Sequence, residues 1–263
     1  MAQDINYGWK QNEIAHHDLI AQEYDETTMK SYSFFDPIIE KKIDKFRKRN
    51  AKFILDCGCG TGRATLLAQN RGFSGVVSLD ISFEMLKCLK AKLQRSWLGA
   101  KTYLVVGDAE NLPFKNGFFD GIISLGLLHH IPSINKAINE QARTLKNNGL
   151  LIIGDLNNEI SLFSWVMNAL IYIFFHIIQI IFKKMHIMLY STGVSSATER
   201  DINARDVLIE LDKFHFNHSS RYFMHNYILD RYLPRYASKT IFYFLNKFNY
   251  AKKGDIFLIE AQR

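Results

Sequence analysis

Three carboxylates and three glycines carry the most chemical information in this chain. The stretch FILDCGCGTGRAT, residues 53–65, ends an apolar run in Asp56 and then places Gly58, Gly60 and Gly62 at alternate positions. Asp80 closes a second apolar run, GVVSLD, and Asp108 a third, KTYLVVGD. A glycine-rich turn between a strand and a helix lets backbone N–H groups approach a ligand closely. The dinucleotide fingerprint G-x-G-x-x-G uses such a turn for pyrophosphate. Here the third glycine comes one position early, and Arg63 stands where that fingerprint wants glycine. Asp56 would also repel a phosphate through partly desolvated space, at a cost on the order of a few kcal/mol. A cationic ligand removes the conflict.

S-adenosylmethionine carries an ammonium and a sulfonium and no phosphate. Asp56 can hold the ammonium side, directly or through water, while Gly58, Cys59 and Gly60 give room for the methionine part. Asp80, at the end of the second run, suits the two ribose hydroxyls, a feature shared with NAD-binding proteins. Asp108 can accept from the exocyclic amine of adenine, the Ala109 N–H can donate to a ring nitrogen, and Ile81 and Met85 can flank the base.

These residues need a frame that gathers them. From about residue 51 to 155 the pattern alternates strand and helix. Strands are expected at 52–56, 75–80, 101–108, near 120–125, and 150–158. Helices are expected at 63–70, at 82–94 with Ser82 as N-cap, and at 134–149, closed by Asn-Gly. Such alternation implies a parallel sheet with right-handed crossovers and helices on both faces, an α/β doubly wound fold. Ligands on such sheets bind beyond the carboxyl ends of the strands, where Asp56, Asp80 and Asp108 would meet. The tail supplies a helix at 205–214 and strands at 221–229 and 254–263.

ILDCGCGTGRAT, SLDIS, GDAENLPFKNGFFDGIISLGLLHHI and TLKNNGLLIIGD together resemble the successive motifs of class I S-adenosylmethionine-dependent methyltransferases. The nearest subgroup is the small-molecule type that includes the ubiquinone/menaquinone-biosynthesis C-methyltransferases. The likeness is good over residues 50–156 and partial over 205–263. It implies a seven-stranded, mostly parallel sheet whose last strand is antiparallel. Carried over residue by residue, it implies that Asp56, Gly58, Cys59 and Gly60 contact the amino acid part. Asp80 and Ile81 hold ribose and adenine, and Asp108 and Ala109 the adenine edge. Leu125 and Gly126 pass beneath the reacting methionine end. AQEYDETT, residues 21–28, resembles the segment whose tyrosine covers the cofactor, which makes Tyr24 a candidate. Cys57 departs from the usual aliphatic residue there, and a small hydrophobe is tolerated.

The resemblance fixes the cofactor, S-adenosyl-L-methionine with S-adenosyl-L-homocysteine as product, better than it fixes the acceptor. After the fourth strand the chain reads SLGLLHHIP. It lacks the Asn-Pro-Pro-Tyr tetrapeptide that marks amino-group methylation of adenine or glutamine in the family. His129 and His130 sit at the mouth of the expected site and are the candidates for a general base, against a purely shaping role. A further cluster, His215, His218, Tyr222 and His225, favours neither a metal nor a base.

The run SLFSWVMNALIYIFFHIIQIIFKKMH, residues 161–186, raises the question of a membrane span. On a helical wheel Ser161, Ser164, Tyr172, His176, Gln179, Lys183 and His186 fall within roughly −40° to +80° of Asn168, so they form one stripe. The other two-thirds is apolar. Such a helix is expected as a hydrophobic lid over a lipophilic substrate that also touches a membrane surface; burial against the domain or a homodimer contact, and a true span, are the alternatives.

A single domain is expected: a helical cap over 1–50, a cofactor-binding core over 51–156, the lid insertion over 157–204 and a closing segment over 205–263. The net charge of +7 favours anionic surfaces or substrates. Much of it gathers in EKKIDKFRKRN, read as a solvated helix face, and no nucleic-acid-binding module is recognisable. Three cysteines without a metal-ligand pairing, and an opening segment without an apolar signal core, point to a cytoplasmic protein, peripheral at most. No metal ligands are assigned, although Asp155 and Asn157 keep a magnesium-assisted variant open. The function expected is methyl transfer to carbon or oxygen of a lipophilic quinone, polyketide, terpenoid or lipid-like molecule. An RNA or tRNA-nucleoside methyltransferase and a non-catalytic cofactor-binding protein are the alternatives.

Overall fold

The computed structural model describes residues 2–28, 35–95, 101–157, 202–223 and 256–263, with isolated helical positions at 166, 170, 173 and 240. Seven strands form one sheet in the order β3-β2-β1-β4-β5-β7-β6. They are β1 (Phe53–Cys57), β2 (Gly75–Asp80), β3 (Thr102–Val106), β4 (Phe119–Leu125), β5 (Leu145–Leu156), β6 (Asn217–Phe223) and β7 (Ile256–Gln262). The first five pair in parallel, and β7 runs antiparallel to both β5 and β6. This is the α/β doubly wound, Rossmann-like arrangement the sequence predicted, including the single reversed strand.

The central strands read as unbroken apolar runs because both of their faces are covered. Side chains alternate between the faces with a period of two. Leu55, Val77, Ile122, Leu151 and Phe257 enter one core, under Ile138 and Ala142 of α6 (Ile134–Thr144) and Val207 and Leu211 of α7 (Ala204–Asp212). Their neighbours Ile54, Val76, Ile123, Ile152 and Leu258 enter the other. There they meet Ile39, Ile43 and Phe46 of α3 (Asp36–Lys48) and Ala64 and Ala68 of α4 (Arg63–Ala68). Burying one such aliphatic side chain contributes about 1.5–3 kcal/mol. α1 (Ala2–Ile20) and α2 (Tyr24–Thr27) precede these elements. α5 (Phe83–Arg95) follows β2, and Ser82 caps it as expected, accepting from the Met85 N–H at 3.1 Å.

Three expected boundaries move. α6 stops at Thr144 rather than at the Asn-Gly pair, and Leu145 is already extended. Asn148 does adopt the left-handed conformation, with φ +63°, but inside β5, where its N–H reaches the Arg263 carbonyl at 3.0 Å. The Asn-Gly signal therefore marks an irregularity at the start of a strand, and the competition was won by pairing in the sheet. The sixth strand starts at Asn217, four residues before the expected 221, because all seven of its described residues pair with β7. β3 ends at Val106, so Asp108 lies just past the strand. The expected 161–186 helix lies outside the described residues apart from Val166, Leu170 and Ile173, which are helical and exposed. His225 also lies outside them. Among the described residues no helix is long and apolar enough to cross a membrane.

Candidate functional site

The carboxyl ends of β1 to β5 form the edge where the predicted residues collect. The turn after β1 holds Gly58, Gly60 and Gly62 at φ +71°, +50° and +93°, a conformation that only glycine adopts without strain. The three have different tasks. A Cβ on Gly58 would meet Leu127 Cδ1 at 2.8 Å, and one on Gly62 would strike the Leu89 side chain. Gly58 and Gly62 thus permit close packing of the turn. Gly60 faces open space except for the Tyr24 ring, at 3.8 Å. It is the glycine left over for a ligand, and Tyr24 stands beside it.

Asp80 ties this turn to α5. One carboxylate oxygen accepts from the Gly60 N–H at 2.7 Å, the other from the Ser82 N–H at 2.9 Å. Burial pushes its pKa up, against the opposing pull of the Ser82 and Gly60 hydrogen bonds. Asp56 is more enclosed than the sequence implied, at 3% exposure. Its carboxylate accepts from the Thr65 N–H at 2.8 Å and the Thr65 hydroxyl at 2.6 Å, anchoring the first turn of α4 under the glycines. Burial raises its pKa to about 6 despite those two bonds. Cys59 is buried and has its thiol pKa raised by burial, so it is an inert neighbour. Ile81 stays partly accessible, while Met85 and Ala109 are enclosed.

Asp108 is engaged from an unforeseen direction. Lys10 of α1 donates to it at 2.5 Å and lies 2.6 Å from Glu110. α1 falls within the helical cap expected over 1–50, but its contacts with the site were not foreseen. Its Asp18 accepts from the Ser82 hydroxyl at 2.6 Å, and its Trp9 Nε1 donates to the His130 carbonyl at 2.9 Å. The helix therefore lies along the same sheet edge, over α5 and the turn after β4. The only sequence signal was the concentration of His, Glu, Asp, Trp and Lys in WKQNEIAHHD.

After β4, Gly126 donates to the Gly154 carbonyl at 2.7 Å with φ +64°, and Leu125 ends the strand. A short 3₁₀ turn, Leu128–His130, follows. The two histidines part company there. His129 Nδ1 lies 2.6 Å from Asp155 at the end of β5. Asp155 also accepts from the Leu128 and Leu156 N–H groups, both at 2.7 Å. Burial would raise the Asp155 pKa, but His129 and these donors outweigh it and hold it below the usual range. His130 turns the other way, 3.0 Å from Glu13. Burial lowers its pKa, with Glu13 opposing. Asn157 accepts from the Ala204 N–H at 3.2 Å. His218 is paired with Asp212 at 2.9 Å, on the far strand β6.

Residues 55–153 match the family described as a methyltransferase domain. Over that stretch the chain carries a methyltransferase domain. That domain is 36% identical over 138 residues to an uncharacterised protein of Methanocaldococcus jannaschii, covering 52% of this chain and 49% of that one. It is 31% identical over 134 residues to a demethylmenaquinone methyltransferase of Leptospira interrogans, covering 49% and 51%. The chain thus spans about half the length of these curated relatives. In fold, the methyltransferase domain and its surroundings are similar to a crystallised SAM-dependent methyltransferase of Thermotoga maritima. That likeness has a TM-score of 0.59 at 15% identity, over 95% of this chain and 99% of the other.

The residues present fit the cofactor. The space beside Gly60, the acid at the end of β2 and the tyrosine over the turn form a cradle that a Cβ on Gly60 would narrow. Bound S-adenosylmethionine would supply an activated methyl group on a sulfonium.

Proposed function

We propose that this protein transfers a methyl group from S-adenosylmethionine to a carbon or oxygen of a lipophilic small molecule. The observation that carries the reading is the His129–Asp155 pair on the same strand-end edge as the Asp80–Gly60 cradle. Asp80 would accept from the ribose hydroxyls, and Gly60 and Tyr24 would border the methionine part. Asp108 and Ala109 would receive the adenine edge, with Ile81 and Met85 beside the ring and Leu125 and Gly126 beneath the sulfur. Asp56 would hold the ammonium side through the loop it anchors.

An ionised Asp155 only accepts, so His129 Nδ1 must carry the proton between them. In that tautomer Nε2 is the basic nitrogen, and it would take a proton from a hydroxyl or an acidic carbon of the acceptor. Such a positioned base contributes about 10²–10⁴-fold. His130, turned to Glu13, does not share this role.

The relative from Leptospira interrogans, by its name, methylates demethylmenaquinone, which supports a quinol-type acceptor with an apolar tail. Membrane-surface contact through 161–186 belongs to the same reading, and the exposed Val166, Leu170 and Ile173 support it. An RNA acceptor draws less support from the basic α3 helix, because Lys42 and Lys45 are both paired with Glu260. The test is incubation with methyl-labelled S-adenosylmethionine and a panel of reduced prenylated quinones, catechols and tRNA. Label in a quinol supports the reading. Label only in RNA, or cofactor binding with no transfer to any acceptor in the panel, overturns it.

A further inference from the structure

We propose that Glu13, His17 and His130 form a binding site for a divalent transition-metal ion. α1 presents Glu13 and His17 four residues apart, hence on one face. The 3₁₀ turn after β4 brings His130 against that face. Glu13 Oε2 lies 3.0 Å from His130 Nδ1 and 3.4 Å from His17 Nδ1. The two imidazole rings meet edge to face with centroids 4.7 Å apart. One donor atom from each of the three residues lies within 4.8 Å of the other two.

Two imidazole nitrogens and one carboxylate oxygen suit zinc, cobalt, nickel or ferrous iron better than magnesium or calcium, which prefer oxygen alone. Metal–ligand bonds of about 2.0–2.2 Å place ligands about 3–3.5 Å apart, so small side-chain rotations close the set. The surroundings hold the ligands in place, as supporting partners do in metal sites. Trp9 fixes the His130 backbone, and the His129 ring lies 3.8 Å from the His130 ring. Glu13 is only 3% exposed, and its carboxylate sits between the two imidazoles, away from solvent.

Three protein ligands leave coordination open. His129, the neighbour of one ligand, is the proposed base, so the open position suits an anionic oxygen, phenolate or enolate, of the acceptor. This last role rests on the methyltransferase reading; the metal site does not.

The test titrates the metal-free full chain with Co²⁺, read by visible absorption, and with Zn²⁺, read by calorimetry. One equivalent and a ligand-field spectrum with nitrogen donors are expected. Glu13→Gln and His17→Gln, each checked for folding by circular dichroism, should weaken Zn²⁺ binding about 100-fold or more, beyond the 10–100-fold typical of supporting partners. No cobalt spectrum, or equal zinc affinity in the parent and both variants, overturns the site. A parallel titration with S-adenosylhomocysteine separates the two readings. Metal binding without it leaves the site and removes the methyltransferase role.

Discussion

His129 and Asp155 meet across the ends of two neighbouring parallel strands, Nδ1 to Oδ1 at 2.6 Å. Asp155 also accepts two backbone N–H groups, which hold its carboxylate in place against the imidazole. The pairing therefore reads as orientation of the ring. Asp155→Asn keeps one acceptor oxygen for the two backbone N–H groups and loses the charge that fixes the His129 tautomer. We expect kcat to fall about 100-fold with little change in S-adenosylhomocysteine affinity, measured by turnover and calorimetry. An equal loss in both would place Asp155 in folding or cofactor binding.

Asp80 is expected to hold the ribose. Asp80→Ala should weaken cofactor binding by about 1.5–3 kcal/mol, the usual loss for hydrogen bonds to a charged group. Because Asp80 also bridges Gly60 and Ser82, calorimetry should be paired with thermal unfolding. Unchanged affinity would remove the ribose assignment.

Asp56 gives a pH dependence with a definite sign. Its folded pKa, about 6, lies above the ordinary 3.8. Burial of this group thus favours folding at pH below about 4 and loses that contribution as pH rises through 6, a change of about 3 kcal/mol. Asp56→Asn should flatten that part of the stability profile between pH 4 and 7. In the parent, cofactor affinity should weaken as pH falls through 6, because a neutral Asp56 no longer attracts the ammonium. A flat parent affinity profile would show that the carboxylate serves Thr65 alone.

The glycines should separate by task. Gly62→Ala combines left-handed strain with a collision against Leu89 and should cost about 2–4 kcal/mol of stability. Gly60→Ala carries only the strain, about 1 kcal/mol, and should instead lose cofactor affinity. Chemical denaturation alongside calorimetry distinguishes them.

Lys10 bridges Asp108 and the buried Glu110. Lys10→Met leaves both acids facing each other and should lower stability by about 1–3 kcal/mol. It also frees Asp108, so the cofactor affinity of the folded fraction should hold or rise. A fall in that affinity, measured well below the melting temperature, would show that Lys10 itself helps to bind.

Much of the fold was legible because β1 to β5 are buried on both faces and alternate with amphipathic helices. The glycine turn and the strand-end acids were legible because they lie within a dozen residues of those strands. What the sequence hid was long-range. Nothing local in WKQNEIAHHD says that it will lie over the ends of strands about a hundred residues later. The divergence of His129 and His130 was equally hidden, since it depends on Asp155 and Glu13, which come from opposite ends of the described core. Asn148-Gly149 misled for a related reason: a left-handed residue serves a helix end or a strand irregularity alike, and only the partner Arg263 decides.

The position of β7 bears on how the molecule assembles. It inserts between β5 and β6, so β6 has no place in the sheet until residues 256–262 arrive. Until then β5 presents an unpaired, apolar border across which another chain could add a strand. Contacts closed so late in the sequence form slowly. A chain lacking residues 256–262 therefore carries an open sheet border that the complete sheet covers.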